Sequence, residues 1–198
     1  MSILIIEHTR PVTAQTVYVR LGLSGLAARD FRRTRIMVAI TGIELLDWVD
    51  QTSRGWKKLT TAHPEVLTFP CDIRETKSVA ELLQHIVAVE LRFAERLNEL
   101  TETSYESIPY DSVAAIYATH DRAMELLRPL LERDGEFWET VLEMKTRSSG
   151  IVRATRRTVL VHLLTHSIRH YAQLATLARQ QGVPQNWPMD YIAMHAIR

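Results

Sequence analysis

Val161-His162-Leu163-Leu164-Thr165-His166-Ser167-Ile168-Arg169-His170-Tyr171-Ala172-Gln173 sets three histidines at intervals of four inside a run with helical periodicity. On an α-helix, side chains four apart lie one turn apart on nearly the same face. Two imidazoles so placed converge on one metal ion. Three in a row do not, because His162 and His170 are separated by about 12 Å along a helix axis. The spacing therefore predicts one adjacent pair as ligands, completed by a side chain from another helix.

Working outward, this helix opens near Ser148-Ser149-Gly150 and stops at Gly182-Val183-Pro184, where glycine and proline end a helix. Upstream, Ser78-Val79-Ala80-Glu81 has the form of a capping box and opens a second helix to about Leu100. Its apolar stripe is Leu82, Ile86, Val89, Phe93 and Leu97, and His85 lies on its second turn. Ile36, Ala39, Ile40, Ile43 and Leu46 predict a first helix from Phe31 to Lys58, with Gly42 inside it at a cost of about 1 kcal/mol. A third helix runs from Asp111 or Ser112 to Glu132, with Ala115, Tyr117, Met124, Leu127 and Leu131 toward the core. Glu136 to Met144 reads as a short helical piece. Thr61–Lys77 and Thr101–Pro109 read as loops, and the tail from Gln185 as folding back on the bundle. Four long helices without a strand pair predict an all-α four-helix bundle over residues 31–198. Residues 1–30 lack a clear period and read as an N-terminal arm.

A chain of 198 residues buries a proper core without staples, and one domain is the default. A formal net charge of +1 predicts neither nucleic acid nor an anionic membrane as partner. Cys71 is the single cysteine, so no internal disulfide forms, and a reducing compartment fits. No apolar run approaches the roughly 18–20 residues of a membrane span. The first residues lack the flank and apolar core of a signal peptide. The expected location is cytoplasmic.

Helix heights suggest the second source of ligands. His85 is about 10 Å from the start of its helix, and His170 about 16 Å from the end of the last one. The two match in height only if those helices run antiparallel, which an up-down-down-up order supplies. Each single histidine, His120 included, reads first as a hydrogen-bonded structural side chain. Cys71 reads as a buried or loop thiol. Glu90, five residues past His85, reads as a surface group or a neighbour of the site. Arg153, Arg156 and Arg157 read as a solvated face, with anion binding as the alternative. Trp48, Trp56, Trp138 and Trp187 read as packing for core and tail.

The pattern His-x-x-x-His-x-x-x-His-x-x-Gln, followed by Gly182-Val183-Pro184 and then Asp190-Tyr191, resembles the DinB/YfiT-like family of damage-inducible metalloproteins. Ser78 to His85 is similar to the histidine segment of that family's second helix. The resemblance covers roughly residues 31–195. It implies a DinB-like four-helix bundle, a homodimer, and a divalent metal held by His85, His166 and His170, with His162 as a neighbour. Where the family often carries Arg-Gly-Gln after its last histidine, this chain has Tyr171-Ala172-Gln173, so nothing that rests on that arginine carries over.

Three neutral imidazoles suit Zn²⁺, Ni²⁺ or Fe²⁺ and leave room for water or substrate. Members of the family with known activity resemble S-transferases and isomerases that use a low-molecular-weight thiol at the metal. The leading expectation is a thiol S-transferase using Zn or Ni. The alternative is a non-catalytic, metal-stabilised stress or binding protein acting as a dimer. An all-α interaction module with structural histidines stands third. Metal-dependent hydrolysis ranks lower, because no general base accompanies the histidines.

Overall fold

A computed structural model describes residues 39–146 and 150–195. The expected arm at 1–30, the expected first helix before Ala39, and Ser148 and Ser149 lie outside the described residues. Among the described residues the chain is mostly helical, 69%, with six helices and a small two-stranded sheet.

Helix α1 spans Gly42–Ala62. Thr41 caps it by accepting from the Glu44 amide (3.1 Å), and the Glu44 carboxylate accepts from the Thr41 amide (2.8 Å). Gly42 therefore stands at the helix start rather than inside it, and the expected mid-helix penalty disappears. Helix α2 spans Val79–Leu97. Ser78 accepts from the Glu81 amide, but Glu81 reaches back to the Lys77 amide, so the expected capping box is only half formed. Ser112 caps α3, Val113–Leu127, which tightens into a 3₁₀ turn at Arg128–Glu132, where Pro129 has no amide to donate.

The sequence reading fails between residues 135 and 155. The short helix α4 covers only Gly135–Glu139. Strands β1 (Val141–Thr146) and β2 (Gly150–Thr155) follow as an antiparallel hairpin, Val141 opposite Thr155 and Thr146 opposite Gly150. The reason is a period of two. Leu142 and Met144 turn inward while Glu143 and Lys145 face out, and Val152 and Ala154 are covered while Ile151 and Arg153 are exposed. Gly150, at φ +67°, takes the left-handed backbone at the start of β2. Helix α5 then spans Arg156–Gln180, capped by Thr155, so it starts later than the sequence suggests. Gly182, at φ +82°, lies just beyond its end. A last turn, α6, covers Tyr191–His195.

Cross-links reveal how the helices run. Arg156, at the start of α5, donates to the Leu97 carbonyl at the end of α2 (2.7 Å), so these two helices are antiparallel. Glu90 meets His120, and Asn98 meets the Leu126 carbonyl, so α2 and α3 run the same way. Lys57 pairs with Asp121, and Arg128 with Asp47, so α1 opposes α3. The tail returns to α1. Trp187 packs edge-on against Trp56 at 5.2 Å, and the Trp48 indole donates to the Met189 carbonyl. A Cβ on Gly55 would lie 2.2 Å from the Trp187 ring, so only glycine allows this approach.

Two apolar clusters form the core. One gathers Trp56, Leu82, Ile86, Tyr117 and Leu174; the other gathers Leu46, Leu91, Leu97, Leu127 and Leu163. Along the helices, Asp50, Glu90 and His120 fall between them. His120 is 1% exposed, and its Nδ1 lies 2.7 Å from fully buried Glu90. Its Nε2 lies 3.5 Å from Asp50, which also receives two hydrogen bonds from Arg54 and one from Arg128. Glu90 is thus not the surface group that the sequence reading offered but half of a buried ion pair.

Burial alone would lower the His120 pKa, but Glu90 and Asp50 together push it up to about 9. Burial would raise Asp50, yet hydrogen bonds from His120 and Arg54 hold it well below the usual carboxylate range. A raised pKa stabilises fully below the unfolded value of 6.5 and is lost as pH climbs through about 9. Urea midpoints should therefore fall across that window, by on the order of 3 kcal/mol in stability. His120→Gln should be less stable at neutral pH and should lose the alkaline slope. A wild-type profile that is flat over the same window would contradict the buried pair.

Candidate metal centre

The antiparallel pairing of α2 and α5 sets His85, on the second turn of α2, against the middle of α5. His166 and His170 project there from adjacent turns of α5. One ring nitrogen from each of the three lies within 4.8 Å of the others. The Nε2 atoms of His85 and His166 are 3.1 Å apart. His166 and His170 are buried and His85 is partly buried. His162, one turn earlier, stays outside the trio. Its ring stacks between Phe93 (5.6 Å) and His166 (5.8 Å) at a more exposed position. Of the two adjacent pairs that the spacing left open, the structure brings His166 and His170 to His85.

His166 and His170 are held uncharged. Burial draws the His166 pKa down to about 2, helped by the charges of His170, His85 and Arg169. Burial also lowers His170, to about 4, against the opposing hydrogen bond that His170 donates to Gln173 and with Arg169 and Arg74 adding to the depression. Neutral imidazoles are the form that binds metal. Gln173 Oε1 accepts from His170 Nδ1 at 2.7 Å. The proton therefore sits on Nδ1, and Nε2 carries the lone pair, with Arg169 Nη2 3.3 Å away. His166 Nδ1 is buried with no hydrogen-bond partner. This donor set, three neutral nitrogens without a carboxylate, is compatible with a borderline divalent cation.

Beside His85 and His166 opens a cavity of about 440 Å³, within the usual range for small-molecule sites. Val89 and Phe93 of α2 form one apolar wall, and Met144, Val152 and Ala154 of the hairpin form another. Arg74, Arg92, Arg96, Lys145 and Arg169 also border it, and among the described residues no Asp or Glu does.

The model of the DinB family matches residues 38–197. The chain belongs to the DinB family. Comparison with curated proteins finds no match. The match covers both helices that carry the trio, so the histidines lie in the family's part of the chain.

Other residues singled out from the sequence fall elsewhere in this DinB chain. Arg156 is not on a solvated face. It is buried, bonded to the Leu97 carbonyl and paired with Glu99. Arg157 pairs with Glu139, and Arg153 sits on β2 within 4.0 Å of Glu143. Cys71 is buried and accepts from the Thr76 hydroxyl at 3.2 Å. None of the four tryptophans lines the cavity. Sequence reasoning missed the orienting role of Gln173 and passed over Arg74 and Arg169. The signal for Gln173 was its position three residues after His170, on the same helical face.

Removing a group that orients a metal-bound histidine typically weakens metal affinity about 10–100-fold. Gln173→Ala should lower Zn²⁺ affinity by that factor in a chelator competition, with the fold unchanged by circular dichroism. Wild-type affinity in the variant would mean that His170 is oriented by something else.

Proposed function

We propose that residues 31–198 form a DinB-like four-helix bundle, up-down-down-up, that acts as a divalent-metal-dependent thiol S-transferase. His85, His166 and His170 are its metal ligands, and Zn or Ni is the metal. A cytoplasmic homodimer fits this reading. The helix directions support the bundle order: α1 opposes α3, α3 follows α2, and α5 opposes α2.

The observation that carries the proposal is three imidazoles converging within 4.8 Å, His166 and His170 held neutral, beside a chamber that no Asp or Glu of the described residues borders. Hydrolysis is helped by a group that accepts a proton from water; among the described residues no Asp or Glu borders the chamber, and His162 is the imidazole outside the trio that does. A thiol needs less help. A divalent cation in the trio would supply the Lewis acidity that deprotonates a coordinated thiol, giving a thiolate nucleophile near neutral pH. Within the chain, Gln173 fixes the His170 ring, and burial keeps His166 uncharged. Val89, Phe93, Met144 and Val152 exclude water from the side where an electrophile would rest.

The lack of a carboxylate at the chamber equally suits the second reading, a metal-stabilised binding protein without turnover. The two separate in one assay. Protein loaded with Zn²⁺ or Ni²⁺ is incubated with monochlorobimane and, in turn, glutathione, cysteine and coenzyme A, and the thioether is followed by fluorescence. Thiol transfer predicts conjugation above the uncatalysed rate with at least one thiol, lost in His166→Ala. Equal rates in wild type and variant would remove the enzyme reading and leave the binding protein.

A further inference from the structure

Five cationic side chains border the chamber, but they are not equivalent. Arg92 and Arg96 both pair with Glu102, at 3.1 and 2.6 Å. That single carboxylate offsets one of their two charges, and Arg96 also lies over the Phe93 ring. Lys145 is exposed on β1, where its carbonyl accepts from Arg96 (3.3 Å). Among the described residues Lys145, Arg74 and Arg169 have no carboxylate within the 4.0 Å of an ion pair, and of these three only Arg74 and Arg169 are guanidiniums.

These two arginines also share a position. Both border the chamber, and both border the adjoining groove that reaches His170 and Gln173. Arg169 Nη2 lies 3.3 Å from His170 Nε2, so a guanidinium stands at the edge of the histidine trio. Arg74 reaches the same place from the turn Ile73–Glu75, where the backbone takes the left-handed region (φ 56°). Non-glycine residues occupy that region uncommonly and at some cost. The groove carries one carboxylate, Asp72, and Glu75 and Glu81 border a third hollow that shares Arg74, His85 and Tyr105 with the chamber but do not border the chamber itself.

We infer that Arg74 and Arg169 form an anion clamp, and that the second substrate is a small acid with an apolar body. Its carboxylate lies between the two guanidiniums, and its apolar part lies against Val89, Phe93 and Met144. Two unmatched guanidiniums beside a chamber without carboxylates favour an anion, and their planar forks suit a carboxylate. The apolar walls favour a hydrocarbon body over a purely polar anion. The inference rests on reading this chamber as the substrate site, and it does not need the metal to act.

The test uses metal-free protein in the presence of a chelator, so that no carboxylate can bind a cation instead. Phenylbutyrate and its neutral amide serve as matched probes in calorimetric titration. The acid should bind about tenfold more tightly than the amide, the size of one charge-assisted contact. That preference should shrink in Arg169→Gln and in Arg74→Gln, and it should weaken as salt is raised. Both side chains are exposed, so the variants should keep the wild-type circular dichroism. Equal binding of acid and amide by wild type would overturn the inference. So would a preference that survives both substitutions. Failure of thiol conjugation with the preference intact would remove the transferase reading and leave the clamp standing.

Discussion

Three imidazole nitrogens that converge in a half-buried space impose a demand. Each neutral ring offers one donor and one acceptor, and lone pairs that face each other gain nothing unless a cation or a proton lies between them. An added proton is disfavoured here, because burial and the flanking guanidiniums depress His166 and His170. One neutral N–H can bridge His85 and His166, whose Nε2 atoms are 3.1 Å apart, but it leaves His170 outside that bond. A divalent cation would satisfy all three at once. Gln173 holds the tautomer of His170, and Arg92 and Arg96 are drawn toward Glu102.

The scaffold makes that convergence possible by fixing α2 against α5. The Arg156 side chain locks the start of α5 to the end of α2, and the apolar faces of both helices fill the two core clusters on either side. The buried pair Glu90–His120 then links α2 to α3, and Asp50 brings in α1. Removing one member of such a pair typically costs about 3–5 kcal/mol, because the other is left charged and alone. This layer selects one helix register among many apolar alternatives, and the register sets the height of His85 opposite His166.

Much of this was legible in the chain. The spacing of His162, His166 and His170 marked the helix face, and the height of His85 required the antiparallel partner that the structure contains. The caps at Ser78 and Ser112 placed two helix starts within a residue. What stayed hidden had physical causes. Glu90 and His120 are thirty positions apart on different helices, and no local pattern announces that they meet. The hairpin at 141–155 was missed because Phe137, Trp138, Val141 and Met144 mimic helical spacing. The alternation of Leu142 and Met144 with Glu143 and Lys145 was the better guide. That error mattered, since Met144, Val152 and Ala154 form a wall of the chamber. Arg74 could not be foreseen, because its place depends on a left-handed turn inside a segment that reads only as loop.

The most direct measurement is metal content by plasma mass spectrometry, on tag-free protein purified without a metal column, wild type beside His166→Ala. The account predicts about one divalent ion per chain in wild type, as purified or after incubation with Zn²⁺ or Ni²⁺ and desalting, and its loss in the variant. Wild type that retains no metal after that treatment would contradict it and reduce the three histidines to packing between α2 and α5.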